Sequence, residues 1–347
     1  MVKVFQARTA DDLWQQVRGE LLDPNLFEEV QGRNGLTREL AHVALNIDDP
    51  RQKWVVSRSP ALNPAFALVE VIWILSGRRD SAFLNFFNSQ LQKYAGEGDF
   101  YYGAYGYRLR KQFEVDQVER AFLALKNNPY SRQVVLQIWD PRSDLPNENG
   151  EAVDQDIPCN LISLLKIRDH KLHWTQILRS NDLFRGVPYN LVQFTSIHEV
   201  LAGWLGVEAG PYYQLSDSMH IYTSDVKHVT ESEPLVILEN TDSLALPKVE
   251  SDYWIRILQE RIDTLIHPSL TAGQFDSVAQ VMNAPIAFDN AFSVICAEVA
   301  RRRGWFHRSE KIISRCNNPI YLQLWQRWLD RLQRQKAPKP DIKKQGS

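Results

Sequence analysis

The segment from Ala67 to Leu75 (ALVEVIWIL) constrains the fold most, because it is apolar except for Glu70 and is closed by Ser76-Gly77. Apolar residues on every face followed by a glycine stop predict a buried helix. The chain can supply a core around it, since it has 347 residues, of which 44% are hydrophobic and 24% charged. This composition excludes disordered, collagenous and repeat-dominated classes. The length fits one large domain or two ordinary ones.

Charge and cysteine content exclude several further classes. The net charge of −2 gives no strong field for nucleic acid or an anionic membrane, so we expect neither as a partner. The N-terminal MVKVFQARTADDLWQQ has no apolar signal segment, and no run is long enough to span a membrane, which predicts a cytoplasmic protein. The three cysteines are widely spaced, which argues against a disulfide framework or a zinc cluster, and no metal is expected.

Hydrophobic periodicity predicts an α/β protein that ends in helices. Buried strands are predicted over 133–139, 161–167 and 172–178, and strand-like irregular structure over 235–249. Helices are predicted over 118–126, 191–204 and 290–303, and again after Asn318-Pro319. A helix capped by Thr9 is predicted near the start. Polar loops are predicted over 32–38, 100–106 and 142–156.

Glu70 is the first candidate for chemistry, because a lone carboxylate inside an apolar helix is costly to ionise. It either has a structural role, pairing with an arginine or capping a buried loop, or acts as a general acid or base with a raised pKa in a pocket. The helix by itself leaves both interpretations open.

Cys159 is the second candidate. A free cysteine is usually a small buried hydrophobe, but this one follows Pro158 at a strand entrance beside a polar loop. A thiol becomes nucleophilic when a nearby cation lowers its pKa, and Arg179 at the end of the next strand is a candidate cation.

Three further polar residues have weaker signals. Asn190 lies near the start of a helix, where it is either a plain cap or a side chain that donates and accepts towards a pyrimidine edge. His220 and Tyr222 are two residues apart on a predicted strand and would point to one side of it.

Together these residues lie in an order that resembles the thymidylate synthase family, which includes the pyrimidine-nucleotide hydroxymethylases. The resemblance runs from about Arg33 to Tyr222. Its strongest motifs are Pro158-Cys159, Arg179-Ser180-x-Asp182, Gly186-x-Pro188-Tyr189-Asn190 and His220-x-Tyr222. Weaker matches are Arg33 in a phosphate loop, Glu70 with Trp73, Tyr105 in a G-x-Y-G loop, and Ser131-Arg132 before a strand.

The resemblance implies a fold, a cofactor and a role for each matching residue. The fold would be that of thymidylate synthase, a large mixed β-sheet flanked by helices, and the one-carbon donor 5,10-methylenetetrahydrofolate. Cys159 would add to C6 of the pyrimidine and make C5 nucleophilic, while Glu70 would handle protons and water. Arg33, Arg179 and Ser180 would bind the phosphate, together with Arg132 from the other subunit of a homodimer. Asn190 would recognise the base, and His220 and Tyr222 would bind the sugar hydroxyl. Tyr105 and Asp182 would line the catalytic and folate region.

The departures from the family pattern bear on the product. Gln133 replaces a second arginine, Asn160 replaces a common histidine, and no tryptophan lies between Trp73 and Trp139 to stack near the folate. The family's short closing C-terminal segment is not recognisable, because helices end this chain. An active site that is less well closed admits water, which favours a hydroxymethyl over a methyl product.

We therefore expect an enzyme that transfers a one-carbon unit to C5 of a pyrimidine nucleoside monophosphate, with a uridylate substrate favoured by Asn190. A 5-hydroxymethylase is favoured over thymidylate synthase activity. A non-catalytic nucleotide-binding protein of the same fold and a cysteine hydrolase using Cys159 with His220 are the rival hypotheses. The expected organisation is a catalytic domain over 1–255, a helical C-terminal extension over 256–335 and a disordered tail over 336–347.

Overall fold

The structure is a computed structural model that describes residues 2–230 and 235–336. Strands within this part of the chain join into one sheet, and their bounds are β1 Lys3–Ala7, β2 Glu28–Gly32, β3 Gly35–Ile47, β4 Val134–Gln137, β5 Asn160–Arg168, β6 Lys171–Asp182 and β7 Glu208–Tyr222. Their order is β1-β3-β7-β6-β5-β4, and β2 pairs with the first part of β3. The β1–β3 and β6–β7 pairs are parallel and the others antiparallel. The predicted mixed sheet is confirmed.

Helices flank this sheet. In chain order they are α1 Ala10–Leu22, α2 Pro64–Leu75, α3 Ser81–Asn85, α4 Gln92–Ala95, α5 Tyr105–Tyr107, α6 Gln117–Asn127, α7 Pro141–Asp144, α8 Val187–Leu205, α9 Val226–Thr230, α10 Lys248–Ile266, α11 Ala272–Val278, α12 Ile286–Arg302, α13 Phe306–Ile313 and α14 Pro319–Lys336.

Helix α2 has the boundaries that its sequence predicts. The Asn63 side chain accepts a hydrogen bond from the backbone N–H of Phe66 at 3.2 Å, and Pro64 occupies the first turn, where its missing N–H costs nothing. The helix ends at Ser76, after which Gly77 has φ +61°, a left-handed conformation that favours glycine. Every side chain of α2 except that of Glu70 is buried.

The C-terminal helices belong to the same core as α2. Helices α10, α12 and α14 all pack against it, and α8 covers it from the sheet side. The boundary expected between residues 255 and 256 falls inside α10, so the division into domains stays a prediction. The tail expected over 336–347 lies outside the described residues except for Lys336, which ends α14.

The strand-like structure expected over 235–249 is wrong for its described residues, which form an extended segment followed by α10 from Lys248. Side chains of other elements satisfy its backbone instead of a neighbouring strand. The N–H groups of Leu238, Asn240 and Leu244 donate to the side chains of Gln323, Gln52 and Glu199 at 2.9–3.0 Å. Four of its apolar residues pack partly buried against the core, namely Leu235, Ile237, Leu244 and Leu246, whereas Val236 is 81% exposed.

No helix in residues 2–230 and 235–336 is both long and apolar enough to cross a membrane. The same residues contain no group of His, Cys, Asp and Glu side chains arranged to hold a metal ion.

Candidate functional site

Cys159 lies where the loop after α7 enters β5. The backbone N–H of Arg179 in β6 donates to the Cys159 carbonyl oxygen at 3.0 Å. The guanidinium of Arg179 turns back to donate to the carbonyl oxygens of Pro158 and Ile157, at 2.9 and 3.0 Å. The predicted neighbour of the thiol is therefore in place, and it also fixes the backbone that presents the thiol.

The environment of Cys159 raises the pKa of its thiol. Burial is the main cause, and Arg179 and Arg33 oppose it while Asp156 and Asp182 add to it. The candidate cation Arg179 does lower the pKa of the thiol, but burial outweighs both guanidinium groups. Both arginines nevertheless lie close enough to the thiol to favour its thiolate.

Glu70 projects from α2 without an ionic partner. Within the described residues it forms no ion pair, and its Oε2 atom is buried without a hydrogen-bond partner. Burial raises the pKa of Glu70 to about 8, and the nearby side chain of Gln193 partly offsets this rise. The structure therefore rejects the arginine-paired interpretation and favours the acid or base in a pocket.

The loop that carries Tyr105 is pressed between α2 and the segment before Cys159. A Cβ atom at Gly106 would overlap the backbone of Ile74 in α2, and one at Gly103 would lie 2.5 Å from the carbonyl oxygen of Asp156. Glycine is required at both positions because the two backbones approach so closely. The predicted loop thus includes the short helix α5, and its glycines set the position of Tyr105.

Tyr105 links the two candidate catalytic groups. Burial raises the pKa of its hydroxyl, and the charges of Cys159, Asp156 and Glu70 raise it further, while Asn160 lowers it. The phenol therefore lies close to both the thiol and the Glu70 carboxylate, and this group of neighbouring buried side chains is called the pocket below. The ring of Tyr105 packs at 5.8 Å from that of Phe194 in α8.

Asp156 is a pocket residue that the sequence analysis missed. Its Oδ2 accepts a hydrogen bond from the backbone N–H of Gly103 at 2.8 Å, and burial raises its pKa to about 7. In the sequence it ends an acidic polar loop, and nothing distinguishes it from the other carboxylates there. Its role depends on the Gly103 loop folding onto it, which no local pattern encodes.

Several pocket side chains share one property, which is a buried polar atom without a hydrogen-bond partner. They are Glu70, Asn160, Asp182 and Gln193. Buried polar atoms are normally paired, so these atoms are candidates to bind a polar group of a ligand.

The two carboxylate oxygens of Asp182 have different surroundings. Its Oδ1 accepts hydrogen bonds from the backbone N–H groups of Phe184 and Arg185, each at 2.8 Å, whereas its buried Oδ2 has no hydrogen-bond partner and lies 4.0 Å from Arg185 Nε. Burial raises its pKa, and those backbone donors and His220 oppose the rise. His220 faces Asp182 in the register of β7 and β6, and its ring lies 5.6 Å from that of Tyr222.

Asn190 is not a helix cap. Helix α8 starts at Val187 after Gly186, and the buried Asn190 side chain donates to Asn181 Oδ1 at 3.2 Å instead of to the helix end. The capping interpretation is therefore wrong, and the amide is held at the pocket side of α8.

The predicted phosphate-binding residues Arg33 and Ser180 lie on different parts of the sheet. Arg33 occupies the turn between β2 and β3 and donates to the Gln155 carbonyl oxygen at 2.9 Å, beside a cavity of about 540 Å³. Ser180 follows Arg179 in β6 and pairs in register with Ser218. The loop expected over 32–38 is shorter than predicted, because β3 already starts at Gly35.

Arg132 is the predicted site residue that the fold does not bring to Cys159. Arg132 lies two residues before β4. If the β4–β5 register is extended to it, Arg132 lies opposite Ile167, at the end of β5 far from Cys159. At the usual rise per residue this separates it from Cys159 by roughly 25 Å. Its side chain is exposed.

Comparison with known proteins identifies similar sequences. A family model described as thymidylate synthase matches residues 37–251. A deoxyuridylate hydroxymethyltransferase of Bacillus phage SP01 is 35% identical over 225 residues, which are 61% of this chain and 58% of that protein. One of Pseudomonas phage M6 is 39% identical over 162 residues, 46% of this chain and 45% of that protein. This chain therefore spans about half the length of these two relatives. A putative thymidylate synthase of Methanothermobacter marburgensis is 31% identical over 205 residues, 57% of this chain and 84% of that protein.

Proposed function

Because this chain belongs to the thymidylate synthase family, we propose that it transfers a one-carbon unit from 5,10-methylenetetrahydrofolate to C5 of a pyrimidine nucleoside monophosphate. The proposed substrate is dUMP and the proposed product its 5-hydroxymethyl derivative. The observation that supports this most is that buried Tyr105 lies close to both Cys159 and Glu70, and that Glu70 has no ionic partner among the described residues.

Cys159 is the proposed nucleophile. Its sulfur adds to C6 of the ring, and the electrons displaced onto the C4 carbonyl make C5 a carbon nucleophile. The phosphate binds Arg179, Ser180 and Arg33, whose guanidinium forks match phosphate oxygens. Because burial raises the pKa of the thiol, its proton must pass to a neighbouring group when the sulfur attacks the ring. Glu70 and Tyr105 are the nearby acid–base groups.

Base and sugar recognition are assigned to α8 and β7. Asn190 presents an amide that donates and accepts at the N3 and O4 edge of uracil. His220 and Tyr222 at the end of β7 bind the sugar hydroxyl. These roles come from the family resemblance, and the positions of the side chains around Asp182 are compatible with them.

The pocket also fits the proposed folate. The buried Oδ2 of Asp182 lacks a donor, and the N–H groups of a pterin ring are donors of the right kind. When bound, methylenetetrahydrofolate supplies the one-carbon unit at the oxidation level of formaldehyde. Tyr105 and Asp182 would hold it beside the pyrimidine.

The hydroxymethyl product is favoured over methyl by two features. The two phage relatives described above are named deoxyuridylate hydroxymethyltransferases. In addition, the pocket holds unpaired polar atoms that suit a bound water, which a methyl-forming site must exclude.

We further propose the division into a catalytic unit over 1–255 and a helical extension over 256–335. Helices α10, α12 and α14 pack against α2, so the extension would support the helix that carries Glu70. The proposed nucleotide and folate substrates place the enzyme in the cytoplasm.

The proposed enzyme is a homodimer that exchanges Arg132. One face of the sheet carries two rows of exposed or half-buried side chains that run across neighbouring strands. These are Val4, Ala44, Leu215, Ile177 and Ile162 in one row, and Val135, Leu164, Thr175 and Tyr213 in the other. Val4 is 70% exposed, Val135 46% and Leu215 40%, which leaves an apolar surface for a second copy.

Subunit complementation tests this dimer. Cys159→Ala and Arg132→Ala should each be inactive alone. Mixed after co-refolding, they should regain about a quarter of the parent activity, because half of the dimers are mixed and each has one complete site. No regain from a mixture that contains mixed dimers would contradict the exchange of Arg132.

The reaction itself is tested with 5-tritiated dUMP, UMP, dCMP and CMP plus methylenetetrahydrofolate. We expect tritium release to be fastest from dUMP and the product mass to be that of the 5-hydroxymethyl nucleotide. A methyl product would identify a thymidylate synthase, and tritium release from none of the four would reject the enzyme in favour of a nucleotide-binding protein.

The cysteine hydrolase hypothesis has no geometric support. Arg179 on β6 lies beside Cys159, whereas His220 on β7 lies beside Asp182, three residues further along β6. Strand spacing and rise separate the backbones of Cys159 and His220 by roughly 14 Å, too far for a hydrogen-bonded pair.

A further inference from the structure

Gln193 is a buried polar side chain that no motif or family match assigns to the site. It is 6% exposed and lies on α8 three residues after Asn190, hence on the same face of the helix. Helix α8 packs on α2, and Gln193 lies close enough to Glu70 for its amide to lower the pKa of that carboxyl group.

Glu70 and Gln193 each have a polar atom that forms no hydrogen bond. Glu70 Oε2 and Gln193 Oε1 are both buried and both lack a partner. When Glu70 is ionised, as it must be to take a proton from water, both atoms are acceptors, so neither can satisfy the other and an apolar ligand group would leave both unpaired. A molecule with two donor hydrogens, which is water, satisfies both at once.

We infer that Gln193 is a positioning residue that, together with Glu70, holds the water molecule that becomes the hydroxyl group of the product. This inference rests on the proposed function and extends it to the step that distinguishes hydroxymethylation from methylation.

The step balances without any oxidant or reductant. After the one-carbon unit has reached C5 and the folate has left, the ring carries an exocyclic methylene group and the Cys159 sulfur on C6. The water oxygen bonds to the methylene carbon, its proton passes to the Glu70 carboxylate, and the double-bond electrons move to O4 as an enolate. The enolate then reforms the C4 carbonyl and the C5–C6 double bond, and the Cys159 thiolate leaves.

In this scheme Gln193 does not touch the reacting carbon. Its Oε1 accepts one water hydrogen while Glu70 accepts the other, which aims an oxygen lone pair at the methylene group. A site that lacked the amide would still bind dUMP, add Cys159 and remove the C5 proton, but its water would be poorly oriented.

Gln193→Met tests the inference, because it keeps the length of the side chain and removes the amide. The measurement is the amount of 5-hydroxymethyl nucleotide formed per tritium released from 5-tritiated dUMP in a single turnover. We expect a ratio near one in the parent and a ratio about 10- to 100-fold lower in the variant, with dUMP binding retained. Gln176→Met is the matched control, since Gln176 is fully buried in the sheet and bonded to Ser163 and Trp174. The control should keep the parent ratio.

The outcomes separate the inference from the proposed function. Tritium release with an unchanged ratio in Gln193→Met, or a parent that forms only the methyl product, would overturn the inference and leave one-carbon transfer intact. Absence of tritium release from the parent would overturn the proposed function instead. Thermal melting identifies a variant that fails to fold, in which case Gln193→Leu replaces it with the same expected ratio.

Discussion

Glu70 and Glu298 are both carboxylates on helices of one core, but only one of them is paired. Glu298 on α12 is 0% exposed and accepts hydrogen bonds from Arg301, Arg302 and Trp328 at 2.7–3.1 Å. Glu70 on α2 has an unpaired oxygen and a pKa raised to about 8. The helical layer thus satisfies its buried charge, whereas the pocket keeps an unpaired one.

This difference indicates where the fold gives up stability for chemistry. An unpaired buried carboxylate opposes folding when it ionises, and it persists where its proton is used. The comparison predicts that substitutions in the two regions have opposite effects on stability.

The largest loss is expected from Glu298→Ala. It leaves Arg301 and Arg302 without their carboxylate in a buried setting, which costs about 3–5 kcal/mol of unfolding free energy. Urea unfolding at pH 7 measures this. A loss below about 1 kcal/mol, the value of an exposed pair, would show that the pairing of Glu298 stabilises the fold no more than a surface ion pair does.

Gly106→Ala is expected to cost about 3 kcal/mol, because the added Cβ would overlap the Ile74 backbone and force the Tyr105 loop away from α2. Activity should fall with it, since Tyr105 would leave the pocket. The matched control is Gly19→Ala in α1, where nothing lies within 4 Å of the new Cβ and a gain of roughly 0.5–1 kcal/mol is expected. Equal effects at the two glycines would refute the close-packed loop.

Glu70→Gln should stabilise the protein at high pH while reducing activity. The folded pKa of about 8 lies above the unfolded value of 4.5, so the parent loses stability as pH rises through this window and the variant does not. The advantage of the variant should be absent near pH 4 and reach about 2 kcal/mol at pH 9, less than the full shift because Glu70 as a whole is only half-buried. Urea unfolding at both pH values checks this, and an advantage that shrinks with pH would contradict the raised pKa.

The smallest effect is expected from Arg256→Ala. Arg256 pairs with Glu260 one turn later in α10 at 2.8 Å, and both side chains are 55% exposed. Such a pair contributes about 0.3–0.5 kcal/mol and is screened by salt. A melting shift that persists in 0.5 M salt would mean that burial is not what separates Glu298 from an ordinary surface pair.

Local patterns explain what the sequence could predict. Helix α2, its unusual glutamate and the strand entrance at Cys159 follow from periodicity, caps and breakers within a few residues. The mixed sheet and the catalytic role of the thiol came from the resemblance to the family, which depends on motif order along the chain.

The missed features depend on contacts between distant segments. Asp156 matters because Gly103 folds onto it, and Gln193 because α8 packs on α2. Burial of Cys159 outweighs Arg179, which no spacing could show. The stretch 235–247 resembled a strand because some of its apolar residues pack on the core, while side chains of Gln52 and Glu199 bind its backbone.

The central claim is that the Cys159 sulfur attacks the pyrimidine, and Cys159→Ser tests it most directly. Serine keeps the size of the side chain but is a far poorer nucleophile at C6. We predict that tritium release from 5-tritiated dUMP with methylenetetrahydrofolate falls on the order of 10⁴-fold, with dUMP binding and the melting temperature retained. Release at the parent rate from a verified serine variant would contradict the account.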